Sequence, residues 1–139
     1  MMSGIRGKDT KPEILLRKGL FARGFRFRLH DKQLPGKPDM VFPRYRAIIL
    51  AHGCFWHGHD CPLFKWPSSN IEFWEKKIAR NHEVDAAALI SLNSLGWRVL
   101  TVWECALKGP TRLPDGRVVN KAAAWLMSAA GSRDIKGRL

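Results

Sequence analysis

The chain is short and strongly basic: its 139 residues include 24 Lys and Arg against 12 Asp and Glu, a formal net charge of +12. This length allows one domain with one core, and an apolar content of 45% excludes wholesale disorder. Such a surplus of positive charge predicts a polyanionic partner, nucleic acid before a membrane surface, because no long amphipathic basic helix is found. The sequence also has no apolar run able to span a bilayer and no signal peptide, so we expect a cytoplasmic protein.

The first half of the chain predicts one helix followed by three strands. A capping box of Thr10 and Glu13 opens the helix, and Gly24 closes it. Alternating aromatic and basic residues indicate that the first strand lies at a sheet edge, whereas an apolar run marks the third strand as buried. A polar arm precedes the helix and is expected to be flexible. The predicted ranges are 1–9 for the arm, 10–24 for the helix, and 25–30, 39–42 and 45–51 for the strands.

The second half predicts a long helix, a core strand and a last helix. The long helix begins at a capping box of Ser69 and Glu72 and ends at Gly96. A strand–helix–strand unit needs a right-handed crossover, so the strands before and after this helix run parallel and end at the same sheet edge. The expected apolar face of the helix consists of Trp74, Ile78, Leu89, Leu92 and Leu95. The remaining ranges are 52–67 for an aromatic, His- and Cys-rich loop, 97–103 for the strand, 120–127 for the last helix and 131–139 for a frayed basic tail.

The three cysteines converge with a histidine in this topology. Cys54, His59 and Cys61 lie close together in the loop, and the parallel crossover brings Cys105 from the neighbouring strand end. Thiolates and imidazole in a tetrahedral array suit Zn²⁺, and four protein ligands close a site, so we interpret this one as structural. Spacing alone leaves open whether His57 replaces His59 in the set. The alternative is that these are ordinary buried cysteines.

A second group of candidates combines acids with histidines. Asp39 stands at the entrance to a strand, where a carboxylate suits Mg²⁺, and the backbone carbonyl of Ala51 on the adjoining strand is a second candidate ligand. His52 and His57 are candidates to orient or deprotonate a water, because imidazole titrates near neutrality. Glu13 is a candidate second carboxylate, acting through water. The alternatives are that Asp39 only caps a turn and that Glu13 only completes the capping box.

Two large aromatic residues lie inside the loop. Phe55 and Trp56 follow the proposed zinc ligand Cys54, a position that suits insertion between base steps of a duplex. The alternative is that both rings pack on the long helix against Trp74. Met2, in the basic arm, is a candidate for insertion from the opposite groove.

Three blocks of sequence are more specific than these patterns. They are Leu34-Pro-Gly-Lys-Pro-Asp39, then Ala51-His-Gly-Cys-Phe-Trp-His57 with His59 and Cys61, then Gly96-Trp-Arg-Val-Leu100 with Trp103-Glu-Cys-Ala-Leu107. Together they resemble the very-short-patch repair endonucleases over nearly the whole chain. The resemblance implies an α/β fold of the restriction-endonuclease-like, PD-(D/E)XK type: a mixed central sheet flanked by helices, with a zinc-stabilised loop. It also implies nicking of one DNA strand 5′ of the thymine in a T:G mismatch left by deamination of 5-methylcytosine.

The resemblance assigns a role to each candidate residue. Asp39 would be the principal Mg²⁺ ligand with the Ala51 carbonyl, and His52, His57 and Glu13 would complete the catalytic group. The implied zinc ligands are Cys54, His59, Cys61 and Cys105. The implied DNA contacts are Met2, Phe55, Trp56 and Trp74, to which basic side chains such as Lys37 and Lys65 would add phosphate contacts.

The sequence departs from the family pattern at three points. Ala51 stands where the family has Thr, Asp60 adds an acid to a loop with fewer histidines, and few residues precede the first helix. Alternatives are a restriction-type endonuclease acting on unmismatched duplex and a non-catalytic, zinc-stabilised DNA-binding module. We expect a nucleoid-associated monomer that has no membrane partner and acts before a DNA polymerase, with a mismatch-repair accessory protein as a further possible partner.

Overall fold

The computed structural model describes residues 10–138, so the predicted arm, including Met2, lies outside the described residues. The described residues form three α-helices and five strands. In chain order these are α1 (Lys11–Ala22), β1 (Arg28–Leu29), β2 (Met40–Phe42), β3 (Ala47–His52), α2 (Ile71–Ser94), β4 (Arg98–Trp103), α3 (Arg117–Met127) and β5 (Arg133–Ile135). Within residues 10–138, no helix combines the length and the apolar character needed to cross a bilayer.

The strands form one mixed sheet in the order β1-β2-β3-β4-β5. β1, β2 and β3 are antiparallel neighbours, whereas β3, β4 and β5 run parallel. His52, the last residue of β3, is paired with Trp103, the last residue of β4. The predicted crossover through α2 is therefore confirmed, and the loop after β3 starts beside the chain that leaves β4.

Helices cover both faces of this sheet. Successive strand residues point to opposite faces. Phe42 and Ile49 accordingly belong to a core cluster that includes side chains of α1 and α3, and Val41 and Ile48 belong to a smaller cluster closed by Leu92 of α2. The expected α/β architecture, a mixed sheet flanked by helices, is thus observed.

The C-terminal tail is ordered where it meets the sheet, contrary to the prediction of a frayed end. β5 pairs in parallel with β4, with Arg133 opposite Leu100, and Ile135 is buried. The preceding helix also begins earlier than predicted, at Arg117 instead of Asn120. A three-residue strand with one buried apolar side chain is too short to show an alternating pattern, so backbone pairing to β4 is what orders it.

Helix α2 begins and packs differently from the prediction. Its N-cap is Asn70, in a left-handed conformation (φ 55°, ψ 41°), and in the described structure this residue makes no side-chain capping bond. Ile78 and Leu92 are buried as predicted, whereas Leu89 and Leu95 are 37% and 53% exposed. The helix packs on the smaller apolar cluster of the sheet, which leaves much of its predicted apolar face open.

Candidate functional site

The three cysteines and His59 form one compact group. The ligand atoms of Cys54, His59, Cys61 and Cys105 lie within 4.8 Å of one another. The Sγ atoms of Cys54 and Cys105 are each 3.5 Å from His59 Nδ1. Ligands of one tetrahedral zinc ion, at about 2.3 Å for sulfur and about 2.0 Å for nitrogen, are separated by roughly 3.5 Å. The donor set and its spacing fit Zn²⁺, and His57 lies in a different group.

Backbone N–H groups support this cluster. Cys105 N–H donates to Cys54 Sγ and Gly137 N–H donates to Cys105 Sγ, both at 3.3 Å. Burial raises the pKa of the Cys54 thiol and that of the Cys105 thiol. A bound cation reverses this effect, because it stabilises the thiolates that metal binding requires. The segment after β5 thus contributes a hydrogen-bond donor to the cluster.

Asp39 is a buried acid immediately before β2. Its Oδ2 accepts a hydrogen bond of 2.7 Å from the N–H of Ala51 on β3. Burial raises the pKa of Asp39 to about 7; the Ala51 hydrogen bond opposes the rise, and the charge of Glu13 adds to it. A desolvated carboxylate beside a second acid is stabilised by a cation, so this pair fits a divalent metal.

Glu13 faces Asp39 from helix α1 and is 1% exposed. Its backbone N–H donates to Thr10 Oγ1 at 3.4 Å, which confirms the predicted N-cap. Its side chain is directed to a different set of partners: Oε2 lies 2.6 Å from His30 Nε2 and 3.1 Å from Arg17 Nη1. The cap therefore involves the backbone of Glu13, whereas its buried carboxylate faces the site, where it contacts His30 and Arg17.

His30 was not singled out from the sequence, although it belongs to this group. The ligand atoms of Glu13, His30 and Asp39 lie within 4.8 Å of one another. The hairpin register explains the position, since the N–H of His30 donates to the carbonyl of Asp39 at 3.0 Å. Pairing the predicted strands residue by residue is the one sequence signal that points to it.

A histidine and a carboxylate form a third group beside the second. His57 Nδ1 is 2.6 Å from Asp85 Oδ2, and the His57 ring stacks on His52 at 3.8 Å between centroids and 2° between planes. Burial lowers the pKa of His52 to about 3, with the charge of His57 as the second cause. His52 is therefore neutral near pH 7. Because Asp85 accepts from Nδ1, a neutral His57 carries its lone pair on Nε2, as a general base requires.

Asp85 was also missed from the sequence, because it lies on helix α2 far from the loop in the chain. The side chains of Asn81 and His82 on the same helix donate to the backbone carbonyls of Trp56 and His57, at 2.7 and 2.8 Å. Residues three and four apart share a helix face, so Asn81, His82 and Asp85 together form a polar strip under the loop. The polar strip on this helix was the sequence signal that could have identified Asp85.

The two loop aromatics are half-buried among other rings. Phe55 contacts Phe64 and Trp74, with centroids 5.8 and 5.3 Å apart, and Trp56 contacts Trp74 at 5.8 Å. The structure thus shows the packing against Trp74 that was the alternative to DNA insertion. Both rings also line a cavity shared with His57, so they border the histidine group.

One cavity connects the acid and histidine groups. Its walls include Asp39, Ala51, His52, His57 and Asp85, and also His30 and Lys37. Lys65 is exposed on the loop and is not part of that wall. The cavity brings together every described residue that was predicted to be catalytic except Glu13, which reaches it through His30 and Asp39.

Sequence comparison relates the chain to known proteins. The profile of the DNA mismatch endonuclease Vsr family matches residues 1–63. DNA mismatch endonuclease Vsr of Escherichia coli K12 is 44% identical over 134 residues, which cover 96% of this chain and 86% of that protein. The chain belongs to the Vsr family of DNA mismatch endonucleases.

Type II nicking enzymes are also similar to this member of the Vsr family. V.NmeAIP of Neisseria meningitidis is 47% identical over 78% of this chain and 77% of its own length. V.XorIIP of Xanthomonas oryzae is 46% identical over 77% of this chain and 79% of its own. The region matched by the Vsr family profile contains Asp39, His52 and His57, whereas Asp85 and Cys105 join the site from the second half of the chain.

Proposed function

We propose that this member of the Vsr family is a Mg²⁺-dependent DNA endonuclease that nicks one strand 5′ of the thymine in a T:G mismatch. The observation that carries the proposal is a single cavity whose walls hold a buried carboxylate, Asp39, and a histidine oriented by a second carboxylate, the His57–Asp85 pair. An acidic metal site beside a general base suits hydrolysis of a phosphodiester.

His57 would act as the general base. With Asp85 holding Nδ1–H, Nε2 takes a proton from a water as the water oxygen forms a bond to phosphorus. The bond from phosphorus to O3′ breaks in line with this attack, and the leaving oxygen takes up a proton. Asp85 stabilises the imidazolium that results, and the neutral ring of His52 supports it by stacking without adding a positive charge.

Asp39 would hold Mg²⁺ together with the Ala51 carbonyl, and Glu13 would act on the same ion through water. When bound, magnesium supplies positive charge that stabilises the charge developing on the phosphate oxygens. The ligand expected from Ala51 is a backbone atom, so alanine in place of the family's threonine leaves it unchanged. The proposal thus depends on the two buried carboxylates, Asp39 and Glu13. They lie close together and burial raises the pKa of Asp39, and both observations support a cation site.

Zn²⁺ would occupy the set of Cys54, His59, Cys61 and Cys105 in a structural role. Four protein ligands leave no open position for substrate, and they fasten the loop to the end of β4. The loop then presents Phe55 and His57 from a fixed base. We further assign the sheet, with its acid at the start of β2, to the PD-(D/E)XK type of nuclease fold.

The loop aromatics would recognise the mismatch by insertion. Phe55 and Trp56 border the cavity, and unstacking beside a poorly paired T:G step needs less free energy than unstacking beside a Watson–Crick pair. Trp74 contacts both rings and would support them from α2. The other proposed DNA contacts are Lys37, Lys65 and Met2.

A strand-nicking assay tests the proposal directly. Labelled duplexes that differ only in one T:G or T:A pair are incubated with Mg²⁺ or with EDTA, using the native chain and Asp39→Asn. Mg²⁺-dependent nicking 5′ of the mismatched thymine, lost in Asp39→Asn, supports the proposal. Equal cutting of both duplexes indicates a restriction-type enzyme, and tight binding without cutting indicates a DNA-binding module.

The proposed cellular setting follows from the substrate. A T:G mismatch is asymmetric, so one chain suffices and we propose a monomer working on the nucleoid. A nick 5′ of the thymine leaves a strand end from which a DNA polymerase can resynthesise a short patch. A mismatch-repair accessory protein that delivers the lesion is also part of the proposal.

A further inference from the structure

We propose that His30 is a nitrogen ligand of the Asp39 metal site, which gives that site a higher affinity for a first-row transition dication such as Mn²⁺ than for Mg²⁺. The inference rests on the proposed function in one respect, namely that Asp39 binds a divalent metal. It adds a ligand from the β1–β2 hairpin and a class of metal to that site.

The geometry places the His30 imidazole among the acids. Its Nε2 lies 2.6 Å from Glu13 Oε2, and within 4.8 Å the same group includes a carboxylate oxygen of Asp39. Neighbouring ligands of an octahedral ion, at about 2.1 Å from the metal, are roughly 3 Å apart. Three donors, one on α1 and two from the chain between β1 and β2, thus converge on a volume that one ion can fill.

The charged neighbours of Glu13 indicate that His30 does more than neutralise the Glu13 carboxylate. Arg17 Nη1 lies 3.1 Å from the same carboxylate oxygen, so Glu13 has a permanently charged partner in addition to the His30 ring. In this structure the Glu13 carboxylate accepts from His30 Nε2–H, and metal binding at Nε2 would place the ring proton on Nδ1 instead. His30 also lines the cavity with Asp39 and Ala51, so an ion entering there meets its ring.

The backbone of His30 supports a specific placement. Its φ of 49° is left-handed, a conformation that residues with a side chain adopt rarely, although histidine adopts it more often than most. The N–H of the same residue bonds to the Asp39 carbonyl at 3.0 Å. β1 ends at Leu29, and the left-handed backbone of His30 directly after it keeps the His30 ring beside the two acids.

A mixed donor set has a different metal preference from an all-oxygen set. Mg²⁺ binds oxygen ligands and keeps much of its water, whereas imidazole nitrogen favours first-row transition ions. Glu13 and Asp39 alone would suit Mg²⁺, and the addition of His30 shifts the preference. Because the Cys/His cluster takes Zn²⁺ through thiolates, the two sites remain distinguishable by their donors.

The test is an electron paramagnetic resonance measurement on the zinc-loaded chain titrated with Mn²⁺. The signal of free Mn²⁺ gives the dissociation constant for Mn²⁺, and competition by Mg²⁺ gives the dissociation constant for Mg²⁺. Electron spin-echo modulation detects a ¹⁴N nucleus bound directly to Mn²⁺. In His30→Gln we expect the ¹⁴N modulation to be lost and Mn²⁺ affinity to fall about 10- to 100-fold, with Mg²⁺ affinity changing much less. His30→Asn, which tolerates a positive φ, is a second variant that guards against misfolding.

Two controls separate this inference from the proposed function. His82→Gln removes a histidine outside the Asp39 group and should leave the Mn²⁺ spectrum unchanged, and Asp39→Asn should abolish binding. Persistent ¹⁴N modulation and unchanged Mn²⁺ affinity in both His30 variants overturn the inference, as does the lack of any ¹⁴N modulation in the native complex. If the native chain binds neither Mn²⁺ nor Mg²⁺, the metal site of the proposed function fails instead.

Discussion

At the scale of single residues, the cavity gives a carboxyl group a higher pKa than a neighbouring imidazole, the reverse of their usual order. Burial raises the pKa of Asp39 to about 7 and lowers that of His52 to about 3, so the carboxyl holds a proton more tightly than the imidazole does. Neighbouring groups whose pKa values are pushed apart in this way are characteristic of active sites. Each remaining histidine of the cavity has its own acid: Asp85 for His57 and Glu13 for His30.

Asp85→Asn should reduce kcat for nicking by about 10²- to 10⁴-fold while the Kd for the duplex stays unchanged. The neutral amide no longer stabilises the His57 imidazolium, and its NH₂ group can donate to Nδ1, which favours the wrong tautomer of His57. Glu83→Gln is the matched control, because Glu83 is on the same helix but its side chain is 71% exposed. Single-turnover kinetics and a binding titration check the prediction; an unchanged kcat in Asp85→Asn would contradict the role of Asp85 in orienting His57.

Asp39 should make the metal-free protein less stable as pH rises. The folded-state pKa of about 7 exceeds the ordinary value of 3.8, so the folded chain keeps a proton that the unfolded chain releases. The associated stability is complete below pH 3.8 and is lost as pH rises towards 7; a difference of this size is worth up to roughly 4 kcal/mol. Divalent metal should restore it by stabilising the carboxylate.

Urea denaturation of the native chain and Asp39→Asn at pH 5 to 8, without added divalent metal, checks this dependence. The variant should gain stability over the native chain as pH increases, and added Mg²⁺ should shrink the difference. Asp115→Asn, an exposed acid in a loop, is the control and should show neither effect. A stability difference that is constant over this pH range would contradict the pKa of Asp39.

At the scale of elements, the sequence predicted the parts that depend on local pattern and on connection rules. The β3–α2–β4 crossover was predictable because parallel pairing requires it, and it brings Cys105 to the loop. β5 was not predictable, since its order comes from pairing with β4. His30 and Asp85 were missed for a related reason: hairpin register and helix docking, which are tertiary, set their partners.

Removing zinc should destabilise the chain and release the loop. Binding to a site that exists only in the folded state adds its free energy to folding, so Cys61→Ser should lower Tm by about 10 °C or more. Metal analysis should give one zinc per native chain and almost none in the variant, and hydrogen exchange should increase over residues 52–67. Ser69→Ala, nearby in the chain but outside the cluster, is the control, and an equal Tm in all three proteins would refute the zinc site.

Gly137→Ala should destabilise the Cys/His cluster through the segment after β5, which donates a hydrogen bond to Cys105 Sγ. A Cβ at this position would lie 2.5 Å from the Cys105 carbonyl oxygen and 2.4 Å from Thr111 Oγ1, so the chain must shift and its N–H bond to Cys105 Sγ weakens. We expect a loss of about 1–3 kcal/mol. Gly131→Ala is matched to it, because a Cβ there meets nothing within 4 Å. Chemical denaturation compares the two variants; equal stabilities would contradict the tight fit at Gly137.

At the scale of the whole molecule, the proposed function gives affinity for DNA and selectivity for a T:G mismatch separate physical origins. A net charge of +12 attracts any duplex, and the counterions released from phosphates make this attraction depend steeply on salt. The energy of the proposed insertion of Phe55 and Trp56 would depend on the stability of the base step instead. It involves no net charge, so it should distinguish T:G from T:A to a similar extent at any ionic strength.

Binding to T:G and T:A duplexes at several salt concentrations should therefore give two parallel lines of log affinity against log salt. Lys37→Ala should make both slopes shallower by about one and leave their separation unchanged, because it removes one phosphate contact. Phe55→Ala should do the reverse, bringing the lines together without changing either slope. Converging lines in Lys37→Ala, or a changed slope in Phe55→Ala, would mean that charge and insertion are coupled. Discrimination between T:G and T:A would then depend on the whole DNA-binding surface and not only on the loop that carries Phe55 and Trp56.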